Sequence, residues 1–530
     1  MAAHPASHPA RRWESIGLAG LLLAFLVIML PGLDAAPAAH DDEAWQASTG
    51  WKLATEGVFG SDMFAGFHGM DRHYYGYMPV HSFALAGMFR IAGPGLFQAR
   101  LVSVLAGALT LVLIHLVARR LFGARVGLLA VTLSLFVRLT ATNAYRLSGI
   151  PLLDVARIAR YDIMVPVFGL AALLCYLAAR DTGSSRLFAL TGLLIGLSGL
   201  SHLYGNFWLI AIGLLAVRDR ARWSDIAWAA LGFAAPWAAY CGWVLANLPD
   251  WVGQTRNYGE RFGLLDARWY LDNLRLEYLR WAPGLREGWF RPGVVLMLAA
   301  LPPALVALAR RSLRSRDRQA RALLVPALVM PALFAFLIQL KQTNYIITIV
   351  PLFCMALAWA MVSAWDRSAR ARHRLALRCA LALALMAVCA EGLARASVFA
   401  RQAAHATPWP EFIDRVRAQI PGGARVLGLH RYWLGLEDVD FRSWATVFLR
   451  SSPATTTRPE PVETVLDDIA PDLILIDERM LDYFAGTGVE NARPAVLRAW
   501  MEARRFTRAE VLQDRTYGRM EVWRIATPGG

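Results

Sequence analysis

Residues 16–45 read IGLAGLLLAFLVIMLPGLDAAPAAHDDEAW, so three consecutive carboxylates follow closely on an apolar run. The run 16–30 lacks a convincing small-residue cleavage site, and we interpret it as a retained first membrane helix rather than a signal peptide. Acidic side chains beside a bilayer are costly unless water, a cation or a reaction uses them. The triplet Asp41, Asp42 and Glu43 therefore indicates a catalytic centre. The alternative is a solvated loop whose first carboxylates cap the next helix.

The composition is that of a polytopic membrane protein. Of the 530 residues, 56% are hydrophobic and only 18% are charged, which is too apolar for an ordinary soluble protein. The net charge of +15 is carried by arginines between apolar segments and accompanies no nucleic-acid-binding module, so no nucleic-acid partner is expected. The five cysteines lie in apolar stretches without ligand spacing and predict neither a disulfide framework nor a zinc site.

Apolar runs that are long enough to span a bilayer, or nearly so, recur along most of the chain. They predict about eleven transmembrane helices, with a further short or re-entrant apolar helix at 80–91. The eleven runs are 16–30, 99–118, 126–140, 163–179, 187–200, 203–217, 226–245, 294–308, 323–340, 345–362 and 375–390.

The connections between these runs alternate in character, and by the positive-inside rule the arginine-rich ones are cytoplasmic. The other set then faces the periplasm of a cell inner membrane, together with everything after the last span. The arginine-rich set comprises Arg11, Arg12, Arg119, Arg120, Arg125, Arg180, Arg186, Arg218, Arg220, Arg222, 310–321 and 367–374. The opposite set comprises 34–98, 143–162, 247–291 and the link around Lys341.

The composition becomes mixed and more polar from about Thr407. Residues 1–400 are therefore expected to form the membrane domain, with a first long loop (34–98) and a second long loop (247–291). Residues 407–530 are expected to form a periplasmic α/β domain, which is an ordinary size for one core. Its predicted strands are 426–429, 473–477 and 520–525, and its predicted helices are 411–420 and 495–505.

Several motifs resemble those of a known family. Asp42-Glu43 is followed by AWQASTGWK, then by YMP at 77–79, FQARLVS at 97–103 and ARRLFG at 118–123, with KQTNY at 341–345 far downstream. The order and topology resemble the GT-C glycosyltransferases of the family 39 type, which include protein O-mannosyltransferases and aminoarabinose transferases. The resemblance is clearest over about the first 220 residues. It implies a polyprenyl-phosphate-linked sugar as donor, no nucleotide sugar, and transfer at the outer face.

The resemblance also assigns roles to the acidic triplet. One carboxylate of the first outer loop is the general base in that family, and Asp42 matches it, with Glu43 as a supporting carboxylate. A base must take the proton from the acceptor hydroxyl as oxygen attacks the anomeric carbon. The leaving group is already a phosphate, so cations rather than a strong acid are needed to stabilise it. Attack from the opposite face would invert the anomeric centre.

The candidate phosphate-binding residues are Arg157, Arg160 and Lys341. A helix would place the two arginines three residues apart on one face, and Lys341 lies in a short link between two apolar runs. The alternative for all three is anchoring at the membrane interface by snorkelling.

The expected sugar-contacting residues are Asp162, His202 and Tyr345. Asp162 matches a recurrent acidic position of the family, although it is also a potential helix cap. Tyr204 and Asn206 are further candidates beside His202, and the alternative for His202 is a structural role. His68, His73 and His81 do not have the spacing of a standard metal site, so neither a metal nor a cofactor is expected.

Two other classes of function are compatible with the sequence. About eleven spans suit a secondary transporter, although transporter acids lie near mid-membrane in broken helices, and a non-enzymatic scaffold for envelope assembly would use the first loop for docking. A metal-dependent oligosaccharyltransferase would be expected to carry a Trp-rich motif that this chain lacks. The first loop matches neither the aminoarabinose branch, which has Lys where Met78 precedes Pro79, nor the mannosylating branch. The donor sugar and the acceptor (lipid, glycan or protein) therefore stay open.

Overall fold

The computed structural model describes residues 8–259, 262–369, 372–483 and 493–526. The parts of the second long loop, of the last arginine-rich connection and of the C-terminal domain that fall on 260–261, 370–371, 484–492 and 527–530 lie outside the described residues. A helical part is followed by an α/β domain, as the change in composition predicts.

Each of the eleven predicted apolar segments lies mainly in a helix. Among the described residues, seven helices are long and apolar enough to cross a membrane, and three shorter apolar helices, Ala124–Phe136, Ser185–Gly199 and Leu203–Arg218, accompany them. The fold is that of a polytopic helical membrane protein. The seven helices are Arg12–Met29, Leu96–Phe122, Tyr161–Thr182, Trp223–Ala246, Pro292–Arg314, Arg318–Leu337 and the helical segment Arg374–Arg417.

The helices of this part, including the short ones of the loops, are numbered in chain order. They are α1 (His8–Met29), α2 (Asp41–Glu56), α3 (Pro79–Ala92), α4 (Leu96–Phe122), α5 (Ala124–Phe136), α6 (Pro151–Ala156), α7 (Met164–Thr182), α8 (Ser185–Gly199), α9 (Phe207–Arg218), α10 (Trp223–Ala246), α11 (Leu248–Gly259), α12 (Ala267–Leu276), α13 (Tyr278–Gly288), α14 (Pro292–Arg314), α15 (Arg318–Leu337), α16 (Val350–Ser368) and α17 (Arg374–His405).

Close helix packing in this part depends on small residues. A Cβ added to Gly192 of α8 would lie 1.8 Å from the carbonyl oxygen of Ala229 in α10, and one added to Gly232 of α10 would lie 1.9 Å from the carbonyl oxygen of Ala189. The two backbones touch at these points, so only glycine fits there, as at other close crossings of membrane helices.

Several arginine-rich connections meet at one end of the bundle. Asp219 receives Arg180 at 3.4 Å and Arg321 at 3.1 Å, and Arg125 forms a bidentate pair with Asp366. These pairs join connections that the positive-inside rule assigns to one side.

The elements of the C-terminal domain are α18 (Trp409–Arg417), β1 (Arg425–Gly428), β2 (Asp440–Ser443), α19 (Trp444–Ser451), α20 (Val462–Ile469), β3 (Leu473–Asp477), α21 (Glu478–Tyr483), α22 (Arg493–Ala503), β4 (Phe506–Asp514) and β5 (Gly518–Ile525). The strands form a five-stranded mixed sheet of order β2-β1-β3-β5-β4. Strand β1 is parallel to β2 and β3, whereas β5 is antiparallel to β3 and β4. Strands and helices lie close to all five predicted segments, and β2, β4, α19, α20 and α21 are additional.

This domain covers the first long loop. The hydroxyl of Thr446 donates to the carbonyl oxygen of Met63 at 3.0 Å, and the ring of His430 lies 5.0 Å from that of Trp45 in α2. His430 is the second residue after β1, and Arg479 is the second residue after β3. Loops after the carboxyl ends of parallel strands commonly form binding sites in α/β sheets, and here they face α2.

Candidate active site

Helix α2 begins within the acidic triplet. His40 is its N-cap: the Nδ1 of His40 accepts a hydrogen bond from the backbone N–H of Asp42 at 3.1 Å, and the N–H of His40 donates to the Glu43 carboxylate at 2.7 Å. The two bonds form a reciprocal cap, and the three acids lie in the first turn, where the helix dipole favours negative charge. The cap is therefore His40 with Glu43, not Asp41 or Asp42.

The carboxylate of Glu43 is bound by other groups of the protein. Its side chain is fully buried, forms two 2.7 Å hydrogen bonds with Arg100 and accepts the N–H of Ala159 at 2.9 Å. Burial alone raises the pKa of Glu43, but Arg100 and these hydrogen bonds outweigh it and hold that pKa below its ordinary value. Its oxygens thus bind protein donors, and the role of Glu43 as a supporting carboxylate stays a prediction.

Arg160 joins two carboxylates. Its Nη1 lies 2.5 Å from Asp42 Oδ2 and its Nε lies 2.8 Å from Asp162 Oδ2, while the hydroxyl of Tyr204 donates to Asp162 Oδ1. Arg160 and Asp162 are buried, whereas the side chain of Asp42 remains 24% exposed. Asp42 is thus the most exposed of these three charged side chains. The sequence prediction placed Asp42, Arg160 and Asp162 in one site, and the structure brings them together.

The electrostatic environment keeps Asp42 ionised. Burial pushes its pKa up, but Arg160, His40 and His430 outweigh burial and hold the pKa of Asp42 below its ordinary value. Asp42 is therefore a carboxylate at neutral pH and is able to accept a proton.

An aromatic cluster borders Asp162. The imidazole of His202 stacks on Tyr204 at 3.6 Å and on Tyr161 at 5.0 Å, and the ring of Tyr345 lies 4.6 Å from that of Tyr204. The predicted sugar-contacting residues His202 and Tyr345 thus contact Tyr204, a further candidate. Tyr204 in turn donates its hydrogen bond to Asp162, the partner of Arg160.

Arg157 lies elsewhere. Its guanidinium is buried and donates to five backbone carbonyls at the start of the first long loop, those of Ile28, Met29, Pro31, Gly32 and Ala36. In this structure its N–H groups thus have carbonyl partners, and the phosphate contact expected of Arg157 stays a prediction. Helix α6 ends at Ala156 and Arg160 is extended, so the two arginines do not share a helix face.

Lys341 is also engaged by the protein. Its ammonium lies 3.0 Å from the carboxylate of Glu277 and 2.9 Å from the carbonyl oxygen of Ala335, and its side chain is 3% exposed. This ion pair joins the second long loop to the short connection that follows α15. Protein oxygens thus hold the ammonium of Lys341, and its phosphate contact likewise stays a prediction.

Arg146 is a second cation near Arg160 that the sequence analysis did not single out. Burial is the main cause that lowers the pKa of Arg146, and the positive charge of Arg160 lowers it further. Its Nη1 lies 3.4 Å from the side-chain oxygen of Asn344, and its Nε has no hydrogen-bond partner among the described residues. The only sequence signal is an arginine in the short polar segment that precedes α6.

The C-terminal domain reaches the same helix turn through Arg479. Its Nη2 lies 2.6 Å from the buried Asp41, and its guanidinium stacks 5.2 Å from the ring of Tyr145, which packs edge-on against His40 at 4.2 Å. Burial raises the pKa of Asp41 to about 6, although Arg479 and Arg431 oppose the rise. These contacts join residues far apart in sequence, so periodicity and motif gave no signal for them.

Comparison with known proteins agrees with this architecture. Residues 77–240 match the family model of dolichyl-phosphate-mannose-protein mannosyltransferases, and no curated protein matches in sequence. The structure of ArnT from Cupriavidus metallidurans bound to undecaprenyl phosphate aligns with a TM-score of 0.59 at 14% identity, over 98% of this chain and 99% of that chain. The chain has the GT-C glycosyltransferase fold. The resemblance drawn from the sequence motifs is thereby confirmed.

Other GT-C structures align similarly. The apo oligosaccharyltransferase of Archaeoglobus fulgidus has a TM-score of 0.58 at 14% identity, over 90% of this chain and 71% of that chain. The archaeal oligosaccharyltransferase AglB from the same organism, in complex with an inhibitory peptide and a dolichol-phosphate, has a TM-score of 0.58 at 13% identity, over 97% and 74%. The matched family and these neighbours are all glycosyltransferases, which confirms the predicted enzyme class of this GT-C chain.

Proposed function

We propose that this GT-C chain transfers a sugar from a polyprenyl-phosphate donor to an acceptor at the periplasmic face of a cell inner membrane. The observation that carries the proposal is the ion pair between the partly exposed Asp42 and the buried Arg160, which puts a base and a phosphate-binding cation side by side. The acceptor supplies a hydroxyl or phosphate oxygen and is a lipid, a glycan or a protein.

The location follows from the two ends of the bundle. Asp42 lies at the end covered by the C-terminal domain, whereas the pairs of Arg180 and Arg321 with Asp219 join arginine-rich connections. By the positive-inside rule those connections are cytoplasmic, so Asp42 and the domain face the periplasm. The polyprenyl chain of the donor then lies in the outer leaflet.

Asp42 acts as the general base. As the acceptor oxygen forms its bond with the anomeric carbon, its proton passes to the Asp42 carboxylate. The bond between the anomeric carbon and the phosphate oxygen breaks, and its electron pair leaves with polyprenyl phosphate. Attack from the side opposite the phosphate inverts the anomeric configuration.

Arg160 couples donor binding to the strength of the base. In the free protein it pairs with Asp42 and lowers the pKa of that carboxyl, which makes Asp42 a weak base. A donor phosphate that binds Arg160 competes with Asp42 for the guanidinium, so the pKa of Asp42 rises when the donor is in place. Arg146, whose Nε has no hydrogen-bond partner in the described part of the chain, is the second phosphate ligand.

Known ligands of the structural neighbours support this donor class. The aligned ArnT structure holds undecaprenyl phosphate, and the aligned AglB structure holds a dolichol-phosphate. Both are polyprenyl phosphates, which are what this reaction would release.

Transfer from a radiolabelled polyprenyl-phosphate hexose by the full chain in nanodiscs tests the proposal, with envelope lipid, glycan and protein fractions as acceptors. Asp42→Asn should lower turnover by about 100-fold or more, the usual effect of losing a general base. Asp62→Asn is the matched control, since Asp62 is an exposed carboxylate of the same loop, and it should keep wild-type turnover. Near-normal turnover of Asp42→Asn would remove the proposed base. Substrate flux through liposomes without any lipid-linked donor would instead favour a transporter.

A further inference from the structure

Two buried polar side chains beside Asp42 have no hydrogen-bond partner among the described residues. They are Gln46 of α2 and His81 of α3, each 1% exposed. Both amide atoms of Gln46 and both ring nitrogens of His81 are unpartnered. Buried polar groups in folded proteins are nearly always hydrogen-bonded, so four such atoms on two neighbouring helices point to a ligand.

Gln46 and His81 lie on two helices that pack against each other. Thr49 of α2 and Ser82 of α3 share a 2.8 Å hydrogen bond, and Arg90, farther along α3, donates to the carbonyl oxygen of Ala54, farther along α2. The helices thus run parallel in a fixed register. The turn that carries Gln46 precedes Thr49 and lies beside the start of α3, where His81 lies.

The pair also adjoins the reacting groups. Gln46 is four residues after Asp42, so the two side chains lie on the same face of α2, one turn apart. His81 senses the charges of Asp162 and Arg160, although burial is the main cause that lowers its pKa to about 3. His81 is therefore neutral, with one N–H donor and one acceptor nitrogen.

The chemistry of this pair selects its ligand. A carboxamide and a neutral imidazole offer donors and acceptors without net charge, which suits sugar hydroxyls. A sugar ammonium group would need a carboxylate that is not engaged elsewhere. Asp41 pairs with Arg479, Asp162 with Arg160 and Glu43 with Arg100, and the proposed function reserves Asp42 for the proton of the acceptor.

We propose that Gln46 and His81 hydrogen-bond hydroxyl groups of the donor sugar, and that the donor carries an uncharged sugar rather than an amino sugar. The inference rests on the proposed function and deepens it, because it names the class of donor that the site accepts. It resolves the choice that the motifs of the first long loop leave open.

Donor analogues provide the test. The probes are a polyprenyl-phosphate hexose, its monodeoxy analogues and an amino-sugar analogue, each assayed for kcat/KM with the full chain in nanodiscs. A site built to hydrogen-bond a hydroxyl rejects the analogue that lacks it, so the wild type should disfavour at least one deoxy donor, and the amino-sugar donor, by about tenfold or more. Gln46→Leu and His81→Leu should each abolish discrimination at the hydroxyl that the residue contacts.

Thr49→Val is the matched control. Thr49 is a buried polar residue at the same helix contact, but its hydroxyl is bonded within the protein, so the variant should keep the wild-type discrimination ratios. Thermal unfolding of the substrate-free protein adds a second readout: replacing an unpartnered buried amide by an apolar group of similar shape should leave the melting temperature of Gln46→Leu unchanged or raise it.

Several outcomes would overturn the assignment of Gln46 and His81 to the donor sugar. Wild-type ratios in both leucine variants, or a wild type that prefers the amino-sugar donor, would overturn the assignment while leaving the proposed transfer intact. A lower melting temperature of Gln46→Leu with unchanged ratios would show that internal water satisfies the amide and would also overturn it. A wild type that transfers no sugar from any donor would remove the proposed function and this inference with it.

Discussion

Removing Arg479 should weaken the protein in a pH-dependent way. Asp41 is fully buried, and Arg479 is its ion-pair partner at 2.6 Å. The pKa of Asp41 is about 6, above its ordinary value of 3.8, so the folded protein holds a proton that the unfolded chain releases. The contribution of Asp41 to the free energy of unfolding therefore falls as the pH rises from 3.8 to 6, and it is constant above pH 6.

Arg479→Gln removes the larger of the two charges that hold this pKa down, so the pKa of Asp41 rises further and the loss of stability continues above pH 6. If Asp41 then stays protonated, each pH unit above 6 costs about 1.4 kcal/mol. The variant should match the wild type near pH 5, and its penalty should reach at most about 1.4 kcal/mol at pH 7 and about 2.7 kcal/mol at pH 8.

Thermal unfolding midpoints in detergent at pH 5 to 8 measure this penalty. Arg508→Gln, in an exposed pair on β4, is the control and should show no pH-dependent difference from the wild type. In the Asp41→Asn background the substitution of Arg479 should lose its pH dependence. An equal penalty at pH 5 and pH 8 would refute the electrostatic explanation and leave only packing against Tyr145.

Three more predictions follow from the described contacts. Arg160→Gln should lower the rate of transfer and shift the acid limb of the pH–rate profile to higher pH, because Arg160 is the main charge that lowers the pKa of Asp42. An acid limb at the wild-type pH would mean that Asp42 is not the titrating base. Glu43→Gln should destabilise the protein by about 3–5 kcal/mol, since it breaks a buried ion pair, and near-wild-type thermal unfolding would contradict this. Gly232→Leu should sharply reduce the yield of folded protein in detergent, whereas Gly242→Ala in the same helix, where a Cβ meets no atom within 4 Å, should not; equal yields would show that the close helix crossing is dispensable.

The membrane helices were predictable because a helix that crosses the water-free core of a bilayer must consist mainly of apolar residues. The predicted runs fall on helices even where these are short, as at Ser185–Gly199. In the α/β domain, the fully buried β3 matches its predicted range, since an uninterrupted apolar run signals a central strand. Strand β4 was missed because most of its side chains are exposed, so it carries no apolar run.

The candidate site was predictable only in part. The family resemblance pointed to Asp42, and the short segment after α6 supplied Arg160, which the structure brings together with it. The shared helix face expected of Arg157 and Arg160 is absent, because α6 ends at Ala156 and Arg160 is extended. A sequence shows that an arginine is present but not which carbonyls it will bind.

Gln46 illustrates a different limit. Its position one turn after Asp42 is visible in the sequence, but its lack of a partner depends on how α2 and α3 pack. Its contribution to a site becomes apparent only when the hydrogen bonds of its neighbours are known.

The docking of Arg479 against Asp41 has a consequence for how the protein is made. Helix α2 leaves the ribosome early, whereas Arg479 belongs to the domain that is synthesised after the membrane helices. Until that domain has folded, the first turn of α2 lacks its ion pair with Arg479. If Asp42 is the base, as we propose, we expect a nascent chain without this domain to be inactive, so that transfer begins only when synthesis of the chain is complete.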